Sequence, residues 1–145
     1  MALFLYGTLM DVDVMAKVLD RPFAARELLP AFLPGWRRVA VRNASYPVIL
    51  RDPGSCVEGR LLARPGPEDL ARIRHFESEE YVTAAVRVGL ADGRELAAEV
   101  FVALDGVFDL DETGWDLGVW QKRHKADFLR RCDGWMRDCP VAVSA

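Results

Sequence analysis

Apolar and polar positions change rhythm several times along this chain, and each change predicts an element. Leu3-Phe4-Leu5-Tyr6 is an unbroken apolar run just after Met1, too short for a helix and suited to a strand. It stops at Gly7-Thr8, after which apolar residues recur at helical spacing over 12–19 with Asp11 placed as N-cap. The mixed segment 23–29 suggests a second strand before Pro30, and Pro34-Gly35 marks a turn. Over 36–41 large apolar and basic residues alternate as in a half-buried strand. Asn43-Ala44-Ser45 reads as a loop, 46–50 as a short strand, Asp52-Pro53-Gly54-Ser55 as a tight turn, and 57–62 as the next strand. Pro65-Gly66-Pro67 then interrupts the β pattern. Leu70, Ala71, Ile73 and Phe76 share one face of a helix over 68–76.

The β-rich runs 81–88 and 96–103 flank Asp92-Gly93, a strong signal for an antiparallel hairpin. Residues 104–118 are acidic and irregular, either a lid or a connection. Trp120, Phe128, Leu129, Cys132, Trp135 and Met136 then predict one amphipathic helix over 120–136, its tryptophans packed into the core. Six or seven short strands with two or three helices define an α+β fold, with the strands curled into a small mixed β-barrel flanked by helices. With no repeat or linker in 145 residues, a single domain over 1–145 is expected.

Charge and cysteine usage narrow the function classes. Nineteen basic against 22 acidic residues give a net charge of -3 with no long run of one sign, which argues against a nucleic-acid partner. No apolar run is long enough to span a membrane and no secretory leader pattern is present, so a cytoplasmic location is expected. Cys56, Cys132 and Cys139 are odd in number and widely spaced, and with only two histidines they support neither a disulfide framework nor a metal site. No cofactor is expected. Nothing in the composition sets the oligomeric state.

Two clusters remain as candidate chemistry. The first is Tyr6-Gly7-Thr8-Leu9: Gly7 is free to adopt positive φ, and Thr8 offers a hydroxyl beside successive backbone N–H groups suited to an anion or a carbonyl oxygen. A plain strand-to-helix connection using glycine is the competing reading. The second is Phe76-Glu77-Ser78-Glu79-Glu80-Tyr81. Acidic turns are usually solvated, but a carboxylate held against apolar neighbours has its charged form disfavoured and becomes a usable proton carrier. Glu77, directly after Phe76, is that candidate, with Glu79 and Glu80 expected to be exposed. His75 and His124 are left out of the chemistry, and Tyr81 is either a packed aromatic or a site residue.

Taken together, these clusters resemble the gamma-glutamylcyclotransferase-like family, whose hallmark is a strand ending in Tyr-Gly-(Ser or Thr)-Leu. The resemblance runs through Tyr46-Pro47, the strand Val57-Glu58-Gly59-Arg60-Leu61, Phe76-Glu77, Tyr81 and the hairpin strand near 97–101, covering about 2–103 and weakening over 104–145. It departs at Ile73-Arg74-His75, where the family often has Leu-Asp before the Phe-Glu pair, and at Val82, where it often has arginine. Both changes alter charge near the expected site.

The resemblance implies a barrel whose pocket is formed by Tyr6, Gly7, Thr8 and Leu9 and closed by Glu77, with Tyr81 orienting the substrate or the glutamate. It implies a small-molecule γ-glutamyl substrate, an amine or an amino acid, cyclised to 5-oxoproline without cofactor or metal. Trp115 or Trp120 could cover the pocket. A non-catalytic metabolite- or protein-binding module on the same fold is the main alternative, and a hydrolase releasing glutamate is another.

Overall fold

Strand β1 (Ala2–Leu5) is apolar at every position because both of its faces are covered. Leu3 and Leu5 point into a helical layer, while Phe4 and Tyr6 point the other way into a barrel. The structure, a computed structural model, describes residues 1–111 and 113–140. Its remaining strands are β2 (Leu28–Val41), β3 (Pro47–Leu62), β4 (Tyr81–Leu90), β5 (Glu95–Ala103) and the short β6 (Leu110–Asp111). The order β3-β1-β5-β4-β2 closes on itself because β2 also pairs with β3, and β6 adds to the end of β2. The result is a closed five-strand barrel in an α+β fold, in which β1 runs parallel to β5 and antiparallel to β3. Leu33, Ile49, Val57, Leu61, Val88 and Val100 fill the interior around Phe4.

The helices α1 (Val12–Leu19), α2 (Pro67–Glu77), α3 (Leu117–Arg123) and α4 (Lys125–Arg137) cover the outer face of β1. Val14, Met15 and Val18 of α1 meet Ile73 of α2, Trp120 of α3 and Phe128, Cys132 and Met136 of α4 in one apolar layer. Asp11 caps α1 as expected, accepting hydrogen bonds from the backbone N–H groups of Asp13 and Val14 at 2.9 and 3.1 Å. The 81–103 hairpin also forms as expected.

Three expectations need correction. The segment 23–29 is not a strand of its own: a short 3₁₀ turn occupies Ala25–Glu27, and β2 starts at Leu28 and continues through Pro30 and Pro34. Both prolines are exposed, and Gly35 takes φ +86° where the β2–β3 register shifts, so Pro34-Gly35 is a bulge within one long strand. Opposite it, Asp52–Ser55 is the matching excursion inside β3, with the Ser55 hydroxyl and the Gly54 N–H donating to the Asp52 carboxylate. The third correction falls at His124, which divides the expected 120–136 helix into α3 and α4. The break lets Gln121 from one helix and Lys125 from the other converge on the Asp11 carboxylate, each at 2.9 Å.

Closure of the barrel requires β1 to pass almost in contact with β3 at Gly59. A Cβ there would lie 2.3 Å from the Leu5 carbonyl oxygen and 2.6 Å from Phe4 Cζ, and the former is backbone with no rotamer to yield. Gly59→Ala is therefore expected to destabilise by about 3 kcal/mol, at the upper end for overpacking. Gly89→Ala, on β4 with nothing within 4 Å of the added carbon, is expected to stay within about 0.5 kcal/mol of the parent. Denaturant unfolding of the two variants checks the contrast.

Candidate active site

The end of β1 and the end of α2 meet at a concavity of about 560 Å³. Tyr6, Gly7, Thr8, Leu9, Glu77 and Tyr81, brought together from both sequence clusters, all line it. After β1 the chain makes a 3₁₀ turn over Thr8–Met10, fastened by hydrogen bonds from Met10 N–H to the Gly7 carbonyl and from Asp11 N–H to the Thr8 carbonyl, both 3.0 Å. Gly7 sits at φ −129°, so the expected positive φ is not its reason for being glycine. Its reason is close approach: a Cβ would come within 3.2 Å of the Pro47 ring. Tyr46 and Pro47 both line the cavity, and Pro47 also packs against the turn.

Tyr6 reaches across the barrel wall, its phenolic hydroxyl donating to the Phe101 carbonyl at 2.6 Å. Burial first, and the nearby Glu77 charge second, push its pKa well above the ordinary value, so the phenol stays protonated and the bond stays made. Tyr81 and Tyr46 are shifted upward in the same way, by burial and then by neighbouring Glu77 and Glu80 among other groups. All three tyrosines of the chain therefore line one cavity. Unlike Tyr6, the hydroxyls of Tyr46 and Tyr81 have no hydrogen-bond partner among the described residues. Phe108 packs against both rings, with centroids 5.7 and 5.6 Å away, and fixes where those donors point.

Glu77 is the last residue of α2. Ser78, which follows it, holds φ +70° and ψ −177°, a region rarely open to a residue with a side chain and costing on the order of 1–3 kcal/mol. That strained residue ends the helix abruptly and sends the chain into β4, leaving the Glu77 side chain directed into the concavity. No hydrogen bond or ion pair reaches its carboxylate among the described residues. Desolvation pushes its pKa from 4.5 up to about 8. A carboxyl group titrating there gives and takes a proton near neutral pH.

Of the residues at which the chain departs from the family pattern, His75 alone reaches the cavity. Arg74 and Val82 are exposed and line none of it. His75, excluded from the chemistry by sequence, does sit on the wall, with its Nε2 hydrogen-bonded to the Trp135 carbonyl at 2.8 Å. Glu79 and Glu80 are exposed as expected, Glu80 at the cavity edge.

Trp115 and Trp120 do not cover the cavity. Trp120 is buried in the helical layer, and Trp115 donates its indole N–H to the Ser45 carbonyl at 2.8 Å. Trp135, read from its helical spacing as core, is 45% exposed and walls the cavity with Phe76 and Phe128. Phe108 was also missed, although a lone phenylalanine in an acidic run was a usable signal.

Small closed barrels with this arrangement are known. The chain superposes on a solution structure from Arabidopsis thaliana with TM-score 0.66 and 26% identity, over 90% of this chain and 86% of that one. It also superposes on a gamma-glutamyl cyclotransferase with TM-score 0.54 and 15% identity over 75% and 68% of the two chains, which shows a shared fold. Residues 3–122 match the family described as gamma-glutamyl cyclotransferase, AIG2-like, and the chain belongs to that family. Among its relatives from Arabidopsis thaliana, AIG2-like protein C is 33% identical over 129 residues, covering 88% of this chain and 73% of that protein. AIG2-like protein A is 29% identical over 128 residues, covering 87% and 75%.

The raised pKa of Glu77 has a consequence for stability. Between about pH 4.5, where the unfolded carboxyl titrates, and about pH 8, where the folded one does, the folded protein binds the extra proton, so stability falls as pH rises through that window. Glu77→Gln removes the titration. Its melting temperature is expected to exceed that of the parent by roughly 5 °C at pH 9 and to converge with it near pH 5, read by thermal unfolding across that range.

Proposed function

We propose that the protein cleaves a γ-glutamyl amide by ring closure. The α-amine of the γ-glutamyl group attacks its own γ-carbonyl carbon, a new C–N bond forms, the bond to the leaving amine breaks, and 5-oxoproline is released. Of the three protons on the α-ammonium, one stays on the lactam nitrogen and two end on the leaving amine. Glu77 relays them, taking a proton from the attacking nitrogen and delivering one to the departing nitrogen. The observation that carries this reading is the unpartnered carboxyl group titrating near pH 8 inside a cavity beside the turn.

The N–H groups of Thr8 and Leu9 in the 3₁₀ turn and the free hydroxyls of Tyr46 and Tyr81 supply donors for the substrate carboxylate and the developing oxyanion. The attack is intramolecular. A cavity that holds the substrate folded therefore removes much of the entropic barrier, and no metal or cofactor is required for these steps.

Incubation with a panel of γ-glutamyl amines and amino acids, with mass-spectrometric detection of 5-oxoproline, tests the proposal. Glu77→Gln is expected to lower kcat/KM about 10²–10⁴-fold while retaining the fold. In the parent, kcat/KM is expected to climb about tenfold per pH unit up to about pH 8 and then level off. Release of free glutamate in place of 5-oxoproline would make Glu77 a base for water, and a flat profile from pH 5 to 8 would remove it from the proton relay.

A further inference from the structure

Among the described residues, three that carry side chains hold a positive φ: Asp20, Asn43 and Ser78. Asp20, at φ 54° and ψ 44°, occupies the left-handed well that aspartate tolerates, here at the end of α1. Ser78 is different. At φ +70° and ψ −177° it lies outside that well, in a region essentially confined to glycine, and glycine is what the chain places at the positive-φ positions Gly35, Gly93 and Gly106. The serine Cβ therefore works against the turn that directs Glu77, and what the residue adds over glycine is its hydroxyl.

That hydroxyl is weakly engaged within the protein. It donates to Glu80 Oε1 at 3.5 Å and accepts from the Glu80 N–H at 3.4 Å, both at the outer limit of hydrogen bonding. Such contacts do not offset the cost of the backbone conformation. Ser78 and Glu80 also line the cavity with Glu77. The N–H groups of Thr8 and Leu9 can only donate, whereas a γ-glutamyl group also brings an α-ammonium, which needs acceptors. Below about pH 8 the Glu77 carboxyl is protonated and offers that cation no charge.

We propose that the Ser78 hydroxyl is a substrate-contacting group: it accepts a hydrogen bond from the α-ammonium of the γ-glutamyl group, donates its own hydrogen to the Glu80 carboxylate, and so holds the attacking nitrogen next to Glu77. The assignment rests on the ring-closing cleavage above. Held through one N–H, the nitrogen presents another to Glu77. The strain at Ser78 is then the consequence of setting a polar atom directly after the proton carrier, where glycine would fold more easily and contribute nothing.

Ser78→Ala and Ser78→Gly separate the hydroxyl from the strain, and two ligands that differ only in the amine separate a substrate contact from altered folding. The ligands are γ-glutamylbutylamide, followed by 5-oxoproline release, and glutarylbutylamide, the same amide without the α-amine, which cannot cyclise and is read as a competitive inhibitor. Ser78→Gly is expected to melt about 3 °C above the parent, and Ser78→Ala within about 1 °C of it. Both variants are expected to lower kcat/KM for the γ-glutamyl amide about tenfold while the inhibition constant of the glutaryl amide stays within about twofold of the parent value. Equal weakening of both ligands, or full turnover in either variant, overturns the contact and leaves the cleavage intact. A Ser78→Gly protein no more stable than the parent also overturns it, by removing the strain. Failure of the folded parent to release 5-oxoproline overturns the cleavage and the contact together.

Discussion

The carboxylate of Asp11 is the interaction on which the arrangement depends. It is 2% exposed, caps α1 through two backbone N–H groups, and receives Gln121 from α3 and Lys125 from α4. Burial by itself would raise its pKa, but the hydrogen bonds from Gln121, Lys125 and the Val14 N–H together outweigh that and hold it below the ordinary value. Its own N–H closes the 3₁₀ turn by bonding the Thr8 carbonyl. One buried charge thus ties the donor-bearing turn to the helix that supplies Phe128 and Trp135. Moving either wall of the cavity means disturbing the same carboxylate, and a buried charge stripped of its partners is costly.

Against that fully satisfied acid stands an unsatisfied one. Glu77 is placed by a strained Ser78, faces a cavity rich in aromatic rings, and takes part in no hydrogen bond or ion pair among the described residues. Two carboxyl groups of similar intrinsic strength are thereby pushed in opposite directions, Asp11 below its ordinary value and Glu77 to a value near 8. The first ties the turn to the helices, while the second is the group to which the proposed reaction assigns proton transfer.

How much of this was legible in the sequence depended on whether the cause was local. The cap at Asp11, the helix that follows it and the Asp92-Gly93 hairpin are decided by neighbours within a few residues, and these appear as expected. The bulge at Pro34-Gly35 looked like a turn because the φ requirement is the same in both. Only pairing with β3 over the full length of β2 distinguishes them. The break at His124 has its cause over a hundred positions away, at Asp11. Tyr6 to Leu9, Glu77 and Tyr81, which line one cavity, were singled out by motif and order. Phe108 and Trp135 were not, since what places them at the cavity is the path of a loop and the facing of a helix.

The position of β1 between β3 and β5 also governs the order in which the protein becomes competent. Tyr6 and its turn precede the Phe101 carbonyl that anchors the phenol by 95 residues, and most of the aromatic wall comes later still. An emerging chain therefore carries the whole recognition motif with nothing to hold it in place. Long-range closure of this kind is slow and comes last in assembly. Because residues far apart in sequence meet at the same cavity, that cavity exists only once β1, β5 and α4 have all come together.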